Sequence, residues 1–299
     1  MIENMSKDSK YIIITPAKNE EKFIERTILS VINQTILPIR WIIVDDGSTD
    51  GTAEIVKKYL DKYPFIKLVQ RENSIERHFG NKVYAIRRGF EEVKDIDYDF
   101  YCNLDADVSF EPNYFEFLLN KFKENPKLGI CGGKVFDLID GKFIPQKYEN
   151  HSVAGPIQFF RRECYESFGG YQPFKEGFID GHAEISARMH GWITQTFPEL
   201  QVKHYRPVGS NKGKKLKVLF EGGILEYRFG YSYFYHLVRT FSRFLRYPPV
   251  IGSLMISLGF HYCKIKNMNR VVDKDFLLYV RKEQKERLKL QFKKFLERI

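Results

Sequence analysis

The stretch RWIIVDDGSTDGTAEIVKKYL, residues 40–60, contains the features that decide the fold. Its first six residues are mostly apolar and predict a buried strand that ends in carboxylates. Gly47 permits a tight turn, and the side-chain oxygens of residues 48–50 can cap a helix over residues 51–60. A buried strand, a turn and a helix form the repeating unit of parallel α/β sheets.

The same alternation of strand and helix patterns continues on both sides of that stretch. A helix over residues 20–33 would place Phe23, Thr27 and Val31 on one face. The other predicted elements are strands over residues 11–15, 66–69 and 100–104 and helices over residues 81–93 and 181–190. This order predicts an α/β fold in which helices flank a mostly parallel sheet.

Three of the predicted strands end in polar or acidic motifs, namely TPAKNE (residues 15–20), VDDGSTDGT (44–52) and LDADV (104–108). Ligands of open α/β sheets bind at the carboxyl ends of the strands. Asp105 and Asp107 could share a hard divalent cation, which also accepts phosphate oxygens; an acidic surface loop is the alternative. Asp46 could accept the imide N–H of a uracil-like base.

These three motifs, together with the Gly80-Asn81-Lys82 stretch, resemble glycosyltransferase family 2 in order and spacing. The resemblance is close over about the first 110 residues and looser to about residue 210. It implies a Rossmann-like GT-A fold and transfer of a sugar from a nucleotide-diphosphate donor with inversion. The glycine-rich Rossmann fingerprint is absent, which argues against a nicotinamide or flavin enzyme.

The resemblance also implies which residues form the donor site. Asp107 would ligate Mg²⁺ or Mn²⁺ at the diphosphate, and Asp105 would contact the ribose or the metal. The residues implied to line the nucleotide pocket are Pro16, Ala17, Asn19, Glu20, Asp45, Asp46 and Lys82.

Inversion needs a base that deprotonates the acceptor hydroxyl. Members of the family usually have a Glu-Asp pair here, but the segment FIDGHAE (residues 178–184) has His182 at the position of that aspartate. Asp180 and Glu184 share one helical face, and we favour Asp180 as the base over Glu184 and His182. Glu184 could instead form an ion pair with Arg188, four residues further along.

His204, in the segment VKHYRP, has two interpretations. It could be a satisfied structural histidine, or a third metal ligand beside which Arg206 adds positive charge. The Gln-x-x-Arg-Trp motif of processive polymerases does not follow Gly191, which favours transfer of single sugars. We expect a saccharide or lipid-linked acceptor in cell-surface glycan synthesis. The alternative is an inactive sugar-nucleotide-binding or scaffolding protein.

The composition changes near residue 212, so we predict a catalytic domain over residues 8–211 and a helical tail over residues 212–299. The catalytic domain would comprise a nucleotide-sugar-binding half (8–110) and an acceptor half (111–211). The tail contains the basic loop KGKKLK (212–217), an aromatic and arginine-rich segment (227–247), an apolar segment (248–265) and a charged helix (274–299). Such a tail suits contact with an anionic membrane; packing on the catalytic domain or dimerisation are the alternatives.

Net charge and cysteine usage agree with a cytoplasmic protein at the inner face of the membrane. The 299 residues have a formal net charge of +10, which favours an anionic partner, yet no nucleic-acid-binding module is recognisable. The four cysteines are scattered, and we expect buried, reduced thiols. The sequence has no apolar stretch before Tyr11 and no run of about 18 apolar residues.

Overall fold

The computed structural model describes residues 9–71, 80–206, 215–244 and 249–297. The chain divides between residues 207 and 208 into two compact units. The first is an α/β unit and the second is helical. The predicted domain boundary near residue 211 lies outside the described residues.

The N-terminal half of the first unit is a parallel sheet. Its strands are β1 (Tyr11–Ala17), β2 (Arg40–Asp45), β3 (Ile66–Gln70) and β4 (Phe100–Leu104), in the order β3-β2-β1-β4. Alternate side chains pack on opposite faces: Ile13 contacts the layer of helices α1 (Ile24–Ile32) and α2 (Thr52–Leu60), and Ile14 contacts α3 (Gly80–Glu91). Burial on both faces explains the continuous apolar runs of these strands.

The second half of the sheet is mixed. Its elements are β5 (Val108–Phe110), α4 (Tyr114–Glu124), β6 (Leu128–Ile139), β7 (Lys142–Pro145), β8 (Ile157–Arg161), α5 (Arg162–Ser167), α6 (Ile179–Met189) and β9 (Ile193–His204). The order continues as β4-β8-β6-β9-β5, with β7 on β6. Strand β8 runs antiparallel to β4 and β6, whereas β9 runs parallel to β6. The predicted α/β class is therefore confirmed, and the antiparallel pairs lie in this half.

The second unit contains α7 (Lys215–Arg228), α8 (Tyr233–Ser242), α9 (Ile251–Ile265) and α10 (Lys274–Leu296). Helices α7 and α9 meet at Gly223 and Gly259, where a methyl group would overlap a carbonyl oxygen of the other helix. None of the helices in the described ranges has the length and apolar character needed to cross a membrane.

The starts of the helices that follow β1 and β2 differ from the predictions. The first helix begins at Ile24 rather than at residue 20, so Phe23 precedes it. At the start of α2, Asp50 accepts a hydrogen bond from the Thr52 N–H (3.1 Å), but Ser48 and Thr49 do not cap that helix. The reason in both cases is that the loops after β1 and β2 bond to each other.

Candidate active site

Asn19 ties together the two loops that follow β1 and β2. Its N–H donates to the Ser48 Oγ (2.9 Å), and its Oδ1 accepts from the Thr49 N–H (2.8 Å). Asn19 has a left-handed backbone (φ 57°), which asparagine tolerates better than most residues. The next residue, Glu20, donates its N–H to the Thr52 Oγ1 at 2.7 Å. The Asn19 side chain therefore shapes the predicted pocket by holding the loop.

The ends of β1, β2 and β3 place the other predicted nucleotide-pocket residues at one edge of the sheet. Pro16 and Ala17 end β1, and the Ala17 carbonyl accepts from the Asp46 N–H (2.8 Å). Asp45 is buried and its Oδ1 accepts from the Ser48 N–H (2.9 Å), which closes the turn. Asp46 is also buried, and its Oδ1 pairs with Arg71 Nη1 at 2.9 Å, just beyond β3.

The segment between β4 and β5 brings two carboxylates next to three cationic side chains. Lys82 Nζ, from the first turn of α3, lies 2.5 Å from Asp105 Oδ1. Asp107 lies 3.3 Å from Arg206 Nε and 3.5 Å from His204 Nε2. We call Asp105, Asp107, Lys82, His204 and Arg206 the acidic centre. Arg206 also pairs with Glu20 Oε1, so the loop after β1 reaches this centre.

Burial and charge shift the proton affinities in this group. Burial would raise the pKa of Asp107, but hydrogen bonds from His204 and Arg206 outweigh it and lower that pKa. Burial lowers the pKa of His204, but Asp107 and Asp137 reverse this and raise it to about 9. Burial, together with Asp107, raises the pKa of Glu20 to about 8 in spite of Arg206. At neutral pH, His204 is therefore a cation facing the Asp107 carboxylate.

The positions of Asp107 and His204 follow from strand pairing. His204 ends β9 and lies opposite Val108 of β5 and Asp137 of β6. Its Nδ1 is 2.7 Å from Asp137 Oδ1, which also accepts from the Gln146 side chain (3.0 Å). Both nitrogens of the predicted third ligand thus face carboxylates, and His204 can coordinate a metal only after it loses a proton.

The oxygen atoms in and beside the acidic centre are ligands of the kind that a divalent cation prefers. Asp105 and Asp107 supply carboxylate oxygens, and Glu20 Oε2 is a buried oxygen with no hydrogen-bond partner among the described residues. In the ranges the structure covers, no three His, Cys, Asp or Glu side chains already converge as a ligand set. A bound ion would therefore need further oxygen ligands, which a diphosphate can provide.

Glu184 has the surroundings of a structural carboxylate. It is buried on α6, where Oε1 accepts from the Val153 N–H (3.0 Å) and Oε2 accepts from the Ser152 Oγ (2.8 Å). Arg188 Nη1 lies 3.6 Å from Oε2, so the ion pair proposed as an alternative role is present. Glu184 thus fastens the loop before β8 to α6.

Asp180 lies in the first turn of the same helix and is only partly buried. Its carboxylate packs against Gly155, so that a methyl group at this glycine would lie 2.6 Å from Asp180 Oδ2. The Gly155 carbonyl accepts from the Asn103 side chain (3.1 Å), and the next carbonyl, of Pro156, accepts from the Asp105 N–H (2.8 Å). One short loop therefore separates Asp180 from the end of β4. His182, the third candidate, packs its ring 4.8 Å from Phe174.

Comparison with known proteins identifies the family. Residues 12–182, more than half of the chain, match the family model described as glycosyl transferase family 2. The chain belongs to this family. It is 31% identical over 116 residues to the chondroitin synthase of Escherichia coli, a match covering 39% of this chain and 16% of that protein. It is 30% identical over 140 residues to the poly-beta-1,6-N-acetyl-D-glucosamine synthase of Staphylococcus aureus, covering 47% and 29%. The chain thus matches less than a third of the length of these relatives.

Solved structures agree with the family assignment at the level of fold. The mannosyltransferase PcManGT from Pyrobaculum calidifontis, in complex with GDP-Man and Mn²⁺, superposes with a TM-score of 0.55 and 16% identity. The match covers 86% of this chain and 75% of that one. S. aureus TarS 1-349 in complex with UDP-GlcNAc gives a TM-score of 0.50 and 18% identity, covering 71% and 66%. The GT-A fold expected from the sequence is therefore confirmed.

Three residues that contact predicted site residues were not recognised from the sequence. Arg71 pairs with Asp46, Asp137 pairs with His204, and Gly155 supports Asp180. Arg71 directly follows β3, so its position at a strand end could have indicated it. Asp137 and Gly155 lie far along the chain from their partners, and only the fold reveals them.

Glu184→Gln provides a test of the structural role of this carboxyl. Burial raises the pKa of Glu184 to about 8, although Arg188 opposes the shift. The folded state then holds a proton that the unfolded state releases above about pH 4.5, so this contribution to stability falls as the pH rises towards 8. We expect the stability of the wild type relative to Glu184→Gln to fall by a few kcal/mol, at about 1.4 kcal/mol per pKa unit, between pH 5 and 8. Chemical denaturation of both proteins across that range measures it; a constant difference would contradict the burial argument.

Proposed function

We propose that this chain transfers a single sugar from a UDP- or GDP-sugar to a hydroxyl group of a saccharide or lipid-linked acceptor, with inversion. The observation that carries the proposal is the acidic centre at the carboxyl ends of the strands, where two carboxylates adjoin Lys82 and Arg206. Carboxylates can hold Mg²⁺ or Mn²⁺, and the cations suit the oxygens of a diphosphate. The GDP-Man and UDP-GlcNAc complexes of the structural neighbours support this class of donor.

The proposed chemistry assigns one role to each group. The acceptor oxygen forms a bond to the anomeric carbon, while the bond from that carbon to the diphosphate oxygen breaks. Asp180 takes the proton of the acceptor hydroxyl, and Lys82 and Arg206 stabilise the charge on the departing diphosphate. A divalent cation held by Asp105 and Asp107 would supply further Lewis-acid stabilisation of that charge.

The sequence favours a single transfer over polymerisation. The two relatives named above are polymer synthases, but their matches cover only 116 and 140 residues of this chain. The Gln-x-x-Arg-Trp motif is missing after Gly191. We therefore propose a step in cell-surface glycan or lipid-linked saccharide synthesis that adds one residue.

The charge distribution supports work at the inner face of the membrane. Residues 208–299 contain 20 Lys and Arg against 7 Asp and Glu, whereas residues 1–207 contain 28 against 31. The second unit thus has a formal charge of +13 and the catalytic unit one of −3. Positive charge of this kind is attracted to anionic lipid headgroups.

Calorimetric titration of the full chain with a panel of UDP- and GDP-sugars in the presence of Mn²⁺ tests the donor assignment. We expect one donor to bind with an affinity that a chelator reduces strongly, and to release its diphosphate when an acceptor is present. Binding without any turnover across a panel of hydroxyl acceptors would favour the scaffolding alternative. Absence of binding by every donor would overturn the proposal.

A further inference from the structure

Nine of the exposed apolar side chains of the second unit form two stripes along the neighbouring helices α8 and α9; others, such as Leu278 and Phe292, lie on α10. On α9 these side chains recur every three or four residues and so lie on one side of the helix. The same spacing occurs on α8 and in the turn after it. The members are Ile251, Leu254, Leu258, Tyr262 and Ile265 on α9, Phe234, Leu237 and Phe241 on α8, and Phe244 in the turn after α8. Phe241 is 80% exposed and Ile265 is 81% exposed, so these side chains are not the rim of a core.

The α9 stripe lies away from the packed side of that helix. At about 100° per residue, the α9 stripe spans roughly 80° of the helix surface. The buried residues of α9 include Ile256, Phe260 and Cys263, and these lie on the other side of the helix. The α9 sequence thus has one apolar face inside the unit and a second apolar face outside it.

Helices α8 and α9 run antiparallel. At one end, the ring of Tyr233, at the start of α8, lies 5.6 Å from His261 and 4.5 Å below the Lys264 ammonium. At the other end, the Val250 N–H, just before α9, donates to the Phe244 carbonyl (2.8 Å). The start of α8 therefore adjoins the end of α9, as in a hairpin.

The antiparallel arrangement puts both stripes on the same side of this hairpin. The sides of the two helices that contact each other carry Tyr233 and His236 on α8 and Phe260 and His261 on α9. On each helix, the stripe lies about a quarter turn from that side, in the same rotational sense. In an antiparallel pair, offsets of the same rotational sense point to the same side of the pair. The two stripes therefore lie on a common face. We call these nine side chains the α8–α9 face.

The α8–α9 face is large for a surface left in water. Its four aromatic side chains alone present on the order of 400–500 Å², taking about 200 Å² for each and their exposed fractions. The five aliphatic side chains add to this, which takes the patch beyond the size usual for a monomer and indicates a partner.

Charge selects the class of partner. Residues 226–272, which include the whole face, contain seven Lys and Arg and one acidic residue, Glu226, which pairs with Arg239 and Arg243. The formal charge of this stretch is therefore +6. A second copy of the chain would bring two such positive surfaces together, and the repulsion would oppose a dimer. An anionic lipid surface offers negative headgroups to the cations and an acyl layer to the aromatic side chains.

We propose that the α8–α9 face inserts into the headgroup region of an anionic bilayer, with the hairpin lying flat on the membrane. This inference rests on the membrane location in the proposed function and names the surface responsible. The α9 helix is about 22 Å long, at 1.5 Å per residue, and suits a shallow position along the surface. Lys264 and Lys266, which are exposed near the end of α9, would meet the headgroups.

Binding of the full chain to vesicles of phosphatidylcholine with about 30% phosphatidylglycerol tests the proposal. We expect Phe234→Ser/Phe241→Ser to weaken partitioning at least about tenfold, since each buried aromatic side chain stabilises the bound state. Phe292→Ser on α10 is a matched control, because Phe292 and Phe234 are 64% and 67% exposed. The control should bind like the wild type.

Phe241→Trp and Phe292→Trp provide a second measurement that does not remove apolar surface. We expect the tryptophan emission of Phe241→Trp, relative to the wild type, to shift to the blue with anionic vesicles, and that of Phe292→Trp to stay unchanged. Equal binding by the serine variants together with no shift at position 241 would overturn the proposed face, even if the wild type binds vesicles.

The other outcomes separate this proposal from the catalytic one. Wild-type protein that ignores anionic vesicles but forms a dimer in light scattering, which Phe241→Ser dissociates, would make the face a dimer interface. Donor turnover measured without vesicles reports on the acidic centre alone. Wild-type protein that binds vesicles but turns over no donor would therefore contradict the proposed transferase mechanism. The proposed role of the α8–α9 face would be unaffected.

Discussion

Asp107→Ala is expected to abolish metal-dependent binding of the donor and to reduce turnover on the order of 10³-fold. Asp107 is buried at the segment between β4 and β5, and its lowered pKa keeps it ionised at neutral pH. Removing this carboxylate takes one negative charge away from His204 and Arg206, which keep their pairs with Asp137 and Glu20. The site would then bind a divalent cation much more weakly. Titration calorimetry of donor with Mn²⁺, with and without a chelator, measures the effect.

Two further variants make the Asp107 result specific. Asp107→Asn keeps the volume and should lose metal-dependent binding as well, since an amide contributes no negative charge. Asp97→Ala removes an exposed carboxylate that pairs only with Lys10 among the contacts seen, and should bind donor like the wild type. Unchanged donor affinity of Asp107→Ala in both conditions would remove the metal from the proposed mechanism.

The parallel half of the fold could be predicted because its signals are local. Strands β2 and β4 match the predicted bounds, since apolar runs of five or six residues end at a carboxylate or before one. Asp105 and Asp107 could be predicted as metal ligands because the end of the strand before them is visible in the neighbouring residues of the sequence. The same local reasoning misplaced the start of α1, because the loop before it is held by hydrogen bonds to residues about 30 positions away.

The rest of the site depends on contacts between distant parts of the chain. His204 had two interpretations from the sequence, and its pairing with Asp137 across β6 and β9 makes it a cation held between carboxylates. Glu184 and Asp180 are equivalent in helical spacing, and only the loop that ends at β8 distinguishes them. That loop bonds to both oxygens of Glu184 but merely touches Asp180.

Asp180→Asn should lower kcat by about 10² to 10⁴-fold, which is the usual contribution of a positioned general base. Donor affinity should change little, because the acidic centre does not include Asp180. The amide fits the same space against Gly155, so the fold should persist. Single-turnover measurements with saturating donor and Mn²⁺ report the effect. Glu184→Gln and His182→Asn are the comparison variants, and each is expected to keep kcat within about tenfold of the wild type.

Gly155→Ala tests the same assignment without altering a titratable group. The added methyl would lie 2.6 Å from the Asp180 carboxylate, which must move, and a displacement near 1 Å can cost about 10²-fold in rate. In the Asp180→Asn background the base is already missing, so Gly155→Ala should have little further effect on kcat. Full additivity of the two substitutions would mean that Gly155 acts independently of Asp180. If Glu184→Gln alone eliminated turnover, the proton would have to go to that carboxyl, and the partly exposed Asp180 would lose its role.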